Sequence, residues 1–447
     1  MVSRPNTPEP SEPEPSGSGS SSPRENVVPE VLTRLFASPR YTAALTLVIV
    51  AFAFSTHLLR STMGWPGLLG ILVGLAALAS LSLWARRDTL DWYGLLPISI
   101  LVFVGWTALS LVWSEYFLAT LRGVSYQVAF GFLAIYIALV RDAIQIVRAF
   151  GDVLRVLLAT SIALEVLSLL IDLPIVFLGI KGNIAFLGPI EGLFGSRNAL
   201  GLVALVAVIT FSVEFLSRSV PRGIGIGSIW LAGICLVLAR SPVMFVAAIC
   251  VAVAAAALFA LRRRAPQSRW KLQLGLVIVA LLSALTLWSG RERIFELLNA
   301  GPDTQVRLSV WTKMVRLMPL HLLEGWGWAG IWPDAAPYGW LEFTTGRAYN
   351  SGLNAYVDVM FQLGLVGLVS FVALVLLAFV RAWILASNKR SLVYVWPALI
   401  LVVLLVTALA ESSVLVEYGW MLLIICAVKA AQGLSWRSAL ARKPESA

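Results

Sequence analysis

Long apolar segments alternate with short polar stretches along most of the chain. A helix needs about 20 apolar residues to cross a bilayer, and the pattern contains about twelve segments of that kind. Their approximate ranges are 42–59, 65–84, 94–113, 124–140, 153–171, 198–216, 224–239, 242–261, 272–289, 352–380, 391–410 and 414–430. The pattern therefore predicts an all-α polytopic membrane protein whose transmembrane domain covers residues 39–431.

The two ends of the chain have a different character. Residues 1–38 begin with a run rich in Pro, Glu and Ser, which buries too little apolar surface to fold, so a disordered cytoplasmic tail is expected there. A second, short cytoplasmic tail is expected at residues 432–447. Between them the composition agrees with a membrane protein, because 59% of the residues are hydrophobic and 13% are charged, a balance that excludes a soluble protein of this length.

The net charge of +10 is informative about topology, because of where the basic residues lie along the chain. Most basic residues lie in short loops between apolar segments, where they set topology, so no nucleic-acid partner is expected. They are about twice as frequent on the side that carries the N-terminus, which predicts that both termini are cytoplasmic. The three cysteines lie inside apolar segments, so no metal cluster is expected.

The longest polar interruption is the segment 290–351, which the topology places outside the membrane as a loop between spans 9 and 10. It carries six basic residues and a run of glycines and tryptophans at 325–332. Positive charge on the translocated side opposes the topology rule and therefore calls for another reason. A cationic, aromatic surface beside a membrane suits an anionic lipid-linked sugar, whereas an interfacial aromatic belt is the alternative interpretation of the tryptophans.

Two arginines stand where spans begin. Arg197 and Asn198 follow glycines at the entrance to the sixth span, and Arg240 precedes Ser241 and Pro242 at the eighth. A helix N-terminus beside an arginine favours phosphate. At the sixth span the alternative is a helix cap formed by Ser196 or Asn198, with Arg197 extended to the interface. At the eighth span, where Ser241 can cap the helix, the alternative is a tight turn with a surface arginine.

Two further patterns fall at the loop and its end. Apolar positions at helical spacing predict an amphipathic helix near 303–318 that presents Arg307 and Trp311 on neighbouring turns of one face. Asn350, Asn354 and Asp358 are spaced by four and form a polar stripe that must face protein or water. A purely structural network between helices is the alternative for that stripe.

In this order, the patterns resemble the O-antigen ligase and polysaccharide polymerase family of bacterial membrane glycosyltransferases. The resemblance covers about residues 40–430. The segments that carry it are Trp113-Ser114-Glu115, Gly195-Ser196-Arg197-Asn198-Ala199-Leu200-Gly201, Arg307 with Trp311, Gly325-Trp326-Gly327-Trp328, and Asn350-Ser351 with Gly364 and Gly367.

The resemblance implies an inverting transfer, without metal or cofactor, on the external face of the bacterial cytoplasmic membrane. A polyprenyl-diphosphate-linked glycan would be the donor, and a saccharide or lipid-linked acceptor would attack it. Arg240 and Arg307 would bind the diphosphate, and Tyr349 and Asn350 would position the acceptor. Further substrate contacts are expected from Arg197, Asn198, Trp311, Arg347, Trp326 and Trp328.

The main departure from the family is Tyr349, which occupies the position of a histidine. A tyrosine with a pKa near 10 is a poor general base at neutral pH, so Asp303, Glu324, Asp334 or Glu342 are alternatives for that role. Ligation and polymerisation remain equally open. A transporter or flippase, or a non-catalytic scaffold that binds lipid-linked glycans, are the rival functions. The sequence shows no convincing internal repeat of the kind transporters contain, which favours an enzyme.

Overall fold

The structure is a computed structural model that describes residues 33–87, 97–264, 269–271, 273–275, 278, 289, 301–334, 337–339, 341 and 350–433, with only the backbone at 301–304. Within these ranges the regular elements are helices, as the sequence predicts. The α-helices are α1 (Pro39–Phe54), α2 (Thr56–Ala85), α3 (Ile98–Leu109), α4 (Phe117–Val140), α5 (Ala143–Leu170), α6 (Arg197–Leu216), α7 (Arg222–Leu238), α8 (Pro242–Arg263), α9 (Gly301–Leu317), α10 (Ala355–Asn388), α11 (Val395–Thr407) and α12 (Glu417–Gly433).

Six of the described helices are long and apolar enough to cross a membrane: α2, α4, α5, α6, α8 and α10. Four shorter apolar helices accompany them, at Pro39–Phe54, Ile98–Val112, Arg222–Leu238 and Leu392–Thr407. The bundle is therefore that of a multi-pass membrane protein. A total of twelve spans stays a prediction, and most of the expected span 272–289 lies outside the described residues.

The last helix, α12, forms the centre of the bundle. Nearly every one of its residues is buried, from Tyr418 to Val428, and it packs against α4 and α10. Large apolar side chains such as Val73 and Val156 are exposed on outer helices. Exposed apolar surface of this extent is expected where lipid takes the place of water.

Helix α10 is interrupted at Gly364, which has a φ of +67°. Just before the interruption, the carbonyls of Phe361 and Gln362 accept hydrogen bonds from the amides of Trp326 and Gly327, at 3.2 and 2.8 Å. Residues 325–332, which we call the glycine–tryptophan segment, are therefore docked on the backbone groups that the interruption leaves without helical partners.

Helical structure begins before the predicted end of the N-terminal tail at residue 38. Residues 33–37 are helical, and Phe36 packs edge-on against Tyr41 with ring centroids 5.1 Å apart. Arg86 at the end of α2 donates to the carbonyl of Ala37 at 2.6 Å. These contacts attach residues 33–37 to the bundle. Residues 1–32 and 434–447 lie outside the described residues.

Helix α5 also begins earlier than predicted, at Ala143 rather than near 153. Asp142 caps it together with Gln145, whose side chain accepts from the Asp142 amide at 3.2 Å. The polar residues of this first part are paired in the fold. Arg148 donates to the carbonyl of Ser219 at 2.9 Å, and Asp152 forms a salt bridge with Arg155, which also pairs with the buried Glu214 of α6.

Candidate functional site

A cavity of about 500 Å³ opens at one end of the bundle. Its walls come from the first part of α2, the starts of α4, α6 and α8, the glycine–tryptophan segment, and the connection between α11 and α12. The charged and amide side chains that line it are Arg60, Arg122, Asn198, Asp334, Asn350, Glu411 and Glu417. Helix ends converge there, so backbone and side-chain donors face a common space.

Arg307 of α9 reaches this cavity through Glu411. Its Nη2 donates to Glu411 Oε1 at 2.8 Å and its Nε donates to the carbonyl of Ala410 at 3.1 Å. Asn198 Nδ2 donates to the same Glu411 oxygen at 2.6 Å, and the Ser241 hydroxyl donates to Asn198 Oδ1 at 2.7 Å. One chain of hydrogen bonds thus joins three of the segments that the sequence singled out.

The capping interpretations of Ser196 and Ser241 are confirmed. The Ser196 hydroxyl accepts from the amide of Ala199 at 3.1 Å, and the Ser241 hydroxyl accepts from the amide of Met244 at 3.3 Å. Ser241 has a second contact besides its cap, because its hydroxyl also donates to Asn198 at the cavity wall. Helix caps and cavity are therefore built from the same short segments.

The remaining predicted site residues differ in where they lie relative to the cavity. Arg240 is exposed at the turn before α8, with a φ of +45°, and it is not among the residues that line the cavity. Arg197 is half-buried at the start of α6. Trp311 Nε1 donates to the carbonyl of Gly352 at 2.8 Å, which ties α9 to the end of the loop. Tyr349 and Arg347 lie outside the described residues.

The tryptophans of the loop mostly pack inside the protein. Trp328 is fully buried and lies edge-on to Phe103, and Trp326 is 8% exposed beside His321. Both indoles fill space between the loop and the helices and are not among the residues that line the cavity, so their contact with substrate stays a prediction. Trp332 does line the cavity.

Two of the three residues of the polar stripe, Asn354 and Asp358, form a structural network of the kind that the alternative interpretation describes. Asp358 is fully buried and accepts hydrogen bonds from Trp332 Nε1, the amide of Gly352 and Gln362 Nε2, at 2.9, 3.0 and 2.7 Å. Asn354 caps α10 by accepting from the amides of Tyr356 and Val357. Asn350, at the head of the stripe, is exposed and lines the cavity.

A hydrogen bond from His321 at 3.0 Å lowers the pKa of the Glu324 carboxyl below its ordinary value. A lower pKa makes this carboxylate a weaker base. Glu324 is also not among the residues that line the cavity, whereas Asp334 is. The structure does not describe the side chains of Asp303 and Glu342.

Sequence reasoning missed four charged residues of the cavity: Arg60, Arg122, Glu411 and Glu417. A signal for them existed. Both arginines belong to the basic residues that the topology places outside. Glu411 stands between the last two apolar segments and Glu417 stands near the start of the last one, on that same side. Opposite charges at span ends that face the same side are natural partners, but pairing over such sequence distances is not visible before the fold is known.

Residues 227–372 match a family model described as O-antigen ligase. No curated protein matches the chain. The matched part contains Arg240, Arg307 and Asn350 as well as the glycine–tryptophan segment. Arg60, Arg122, Asn198 and the two glutamates lie outside the match and join it only through the fold.

Proposed function

The match confirms the resemblance to the O-antigen ligase family, and from that premise we propose a membrane glycosyltransferase that acts on polyprenyl-diphosphate-linked glycans. The proposed reaction joins the glycan of the donor to a saccharide or lipid-linked acceptor. It proceeds with inversion, without metal, on the external face of the cytoplasmic membrane. Ligation and polymerisation are both compatible with this chemistry.

The observation that carries the proposal is the cavity. It lies where the glycine–tryptophan segment meets the helix ends, and its wall residues Asn198 and Glu411 are joined to each other and to Arg307 by direct hydrogen bonds. A donor lipid that lies in the membrane would bring its diphosphate to this level. A mixture of guanidinium, amide and carboxylate groups is suited to a diphosphate at one side and sugar hydroxyls at the other.

On the donor side, Arg307 and Arg240 are the proposed diphosphate ligands, with Arg197 as a further contact. The ion pair with Glu411 holds Arg307 in a fixed orientation before substrate arrives. Negative charge grows on the diphosphate as its bond to the sugar breaks, and fixed cations in a site with little water stabilise that charge most strongly.

On the acceptor side, Asn350 and Tyr349 are the proposed groups that orient the attacking hydroxyl. Asp334 is the proposed carboxylate that accepts its proton, since it lines the same cavity. Two arginines at the leaving group reduce the demand for a strong base. A side chain that is not histidine is therefore compatible with transfer.

The test uses full-length protein in nanodiscs with polyprenyl-diphosphate glycans extracted from the host and candidate acceptors. Release of polyprenyl diphosphate in the presence of EDTA is the expected result. Arg307→Gln should reduce it about 100-fold, as expected for the loss of one strong donor to a developing charge. Arg316→Gln is the matched control, because Arg316 is exposed on the same helix and belongs to no part of the site.

The same assay separates the rival functions. Binding of the donor that depends on Arg307, without release of the diphosphate lipid, would support a transporter or a scaffold. Release that stops on addition of EDTA would contradict the metal-independent mechanism. Tyr349→Phe then isolates the phenolic hydroxyl: an increased KM for acceptor with unchanged donor KM is expected.

A further inference from the structure

A second cationic group lines the cavity, formed by Arg60, Arg122 and Trp65; we call it the Trp65 cluster. The guanidinium carbons of Arg60 and Arg122 lie 5.0 and 5.9 Å from the centre of the Trp65 ring. Cation–π contact of this kind holds arginines in place without neutralising them. All three residues precede the segment matched by the family model and line the cavity.

Glu417 fixes one member of the cluster. Its Oε1 accepts from Arg60 Nη1 at 3.0 Å and from the Tyr126 hydroxyl at 2.9 Å, and its Oε2 accepts from the Thr56 hydroxyl at 2.7 Å. Glu417 is 8% exposed, whereas the Arg60 side chain is 28% exposed. The carboxylate is thus held on the inside and the guanidinium is presented to the cavity.

Arg122 supplies the net charge of the cluster. Arg60 and Glu417 neutralise each other, but Arg122 forms no ion pair with any residue in the described part of the chain, and it is exposed where it lines the cavity. A guanidinium in this position attracts an anion and offers paired donors that match a carboxylate or a phosphate group.

The cluster and the Arg307 ion pair are separate. They contact Glu417 and Glu411, which flank the turn Ser413–Leu415. An inverting attack requires the acceptor to enter from the side of the sugar that faces away from the leaving diphosphate. If the diphosphate is bound at Arg307, the second cationic group is on the side of the acceptor. A cavity of about 500 Å³ leaves space for only a few sugar units between them.

We propose that the Trp65 cluster is a subsite for an acidic sugar, and that the acceptor of this protein carries a carboxylate or phosphate on the sugar that enters the cavity. The assignment to the acceptor side rests on the proposed function. The preference for an anionic sugar does not, because it follows from the local charge of the cluster. Of the three carboxylates that line the cavity, Glu417 and Glu411 are paired with Arg60 and Arg307, and Asp334 forms no ion pair with Arg122 among the described residues.

Binding tests the preference without any transfer. The probes are cellobiose and cellobiouronic acid, which share a disaccharide backbone and differ in one carboxylate, with glucose 6-phosphate as the phosphate-bearing probe. Protein in nanodiscs should bind the acidic probes at least about tenfold more tightly than cellobiose, and the difference should shrink at high salt. Stronger binding of the uronate or of the phosphate identifies which anion is preferred. Equal affinity for all three probes overturns the proposal.

Variants assign the preference to the cluster. Arg122→Gln should abolish the difference between acidic and neutral probes by weakening the binding of the acidic ones, while Arg122→Lys should restore part of it. Arg122 is exposed, so these changes spare the fold, whereas Arg60→Gln would leave the Glu417 carboxylate without its cation. Arg316→Gln removes the same charge outside the cavity and should leave the preference intact. If Arg122→Gln keeps the preference, the cluster is not the subsite.

An assay of glycosyl transfer to acidic and neutral acceptors distinguishes this proposal from the proposed function. Activity that is equal with acidic and neutral acceptors would keep the glycosyltransferase and refute the subsite. An anion preference that depends on Arg122, in a protein that releases no diphosphate lipid, would keep the subsite and refute the transferase. Activity with an increased acceptor KM in Arg122→Gln, and an unchanged donor KM, supports both.

Discussion

Replacement of Asp358 by alanine should detach the glycine–tryptophan segment from α10. The carboxylate is fully buried and accepts three hydrogen bonds, from Trp332, Gly352 and Gln362. A buried donor left without a partner costs about 1–3 kcal/mol, so three such donors should cost ~4 kcal/mol after partial relaxation. The Gln362 amide also loses its anchor. Its carbonyl oxygen, which accepts from the amides of Ala329 and Gly330, at 2.7 and 2.9 Å, is then free to move.

Two measurements on Asp358→Ala check this account. The midpoint of thermal unfolding in detergent should fall by several degrees. Hydrogen exchange should accelerate in peptides that cover 325–334, before any change in the helices of the bundle. Asp358→Asn is the matched control: its carbonyl still accepts from Trp332 and Gln362, but its amide group faces the Gly352 amide. One lost hydrogen bond should cost about 1–2 kcal/mol.

The reasoning is refuted if Asp358→Ala unfolds at the wild-type temperature and its segment 325–334 exchanges at the wild-type rate. A uniform increase in exchange across the bundle would also contradict it. That result would mean that Asp358 stabilises the whole fold rather than the attachment of the loop.

Two glycine substitutions test the close contacts around the same segment. Gly123→Ala places a methyl group against the backbone of Ala329 and should reduce both thermal stability and transfer, whereas Gly105→Ala, where the added methyl meets open space, should stabilise helix α3 by about 0.5–1 kcal/mol. Equal effects in thermal unfolding and in the release assay would show that the approach of helix α4 to the loop is unimportant. Gly364→Ala forces a side chain onto a residue with a φ of +67° and into the backbone of Leu323; it should destabilise the protein by about 1–3 kcal/mol, and an unchanged melting temperature would show that α10 adopts a different path there.

The helical architecture was predictable from the sequence because a lipid environment leaves few alternatives for an apolar segment of spanning length. The amphipathic helix α9 and the caps at Ser196 and Ser241 were predictable for a similar reason: their signals are local, within one or two helical turns. The early start of α5 was not, since Arg148 lies in its first turns and finds its partner, the carbonyl of Ser219, only in the folded protein.

The site itself was only half predictable. Arg307 and Asn198 belong to motifs that the sequence displays, and the structure connects both through Glu411. The partner Glu411 lies 104 positions from Arg307, and no local pattern links the two residues. The tryptophans have a clear local pattern, but that pattern does not predict their surroundings. A glycine-rich aromatic run looks the same in the sequence whether the indoles face a ligand or, like Trp328, fill the interior.

The docking of the loop on the interrupted helix α10 has a consequence for the order in which the protein is made. A chain that emerges from its N-terminus delivers the glycine–tryptophan segment before α10 supplies the carbonyls of Phe361 and Gln362 that receive it. The start of α10 in turn waits for later residues, since the amide of Ala355 donates to the carbonyl of Ala408 at 2.8 Å. The cavity is therefore among the last parts of the molecule to form, and a nascent chain that lacks α11 and α12 carries the loop but no completed site.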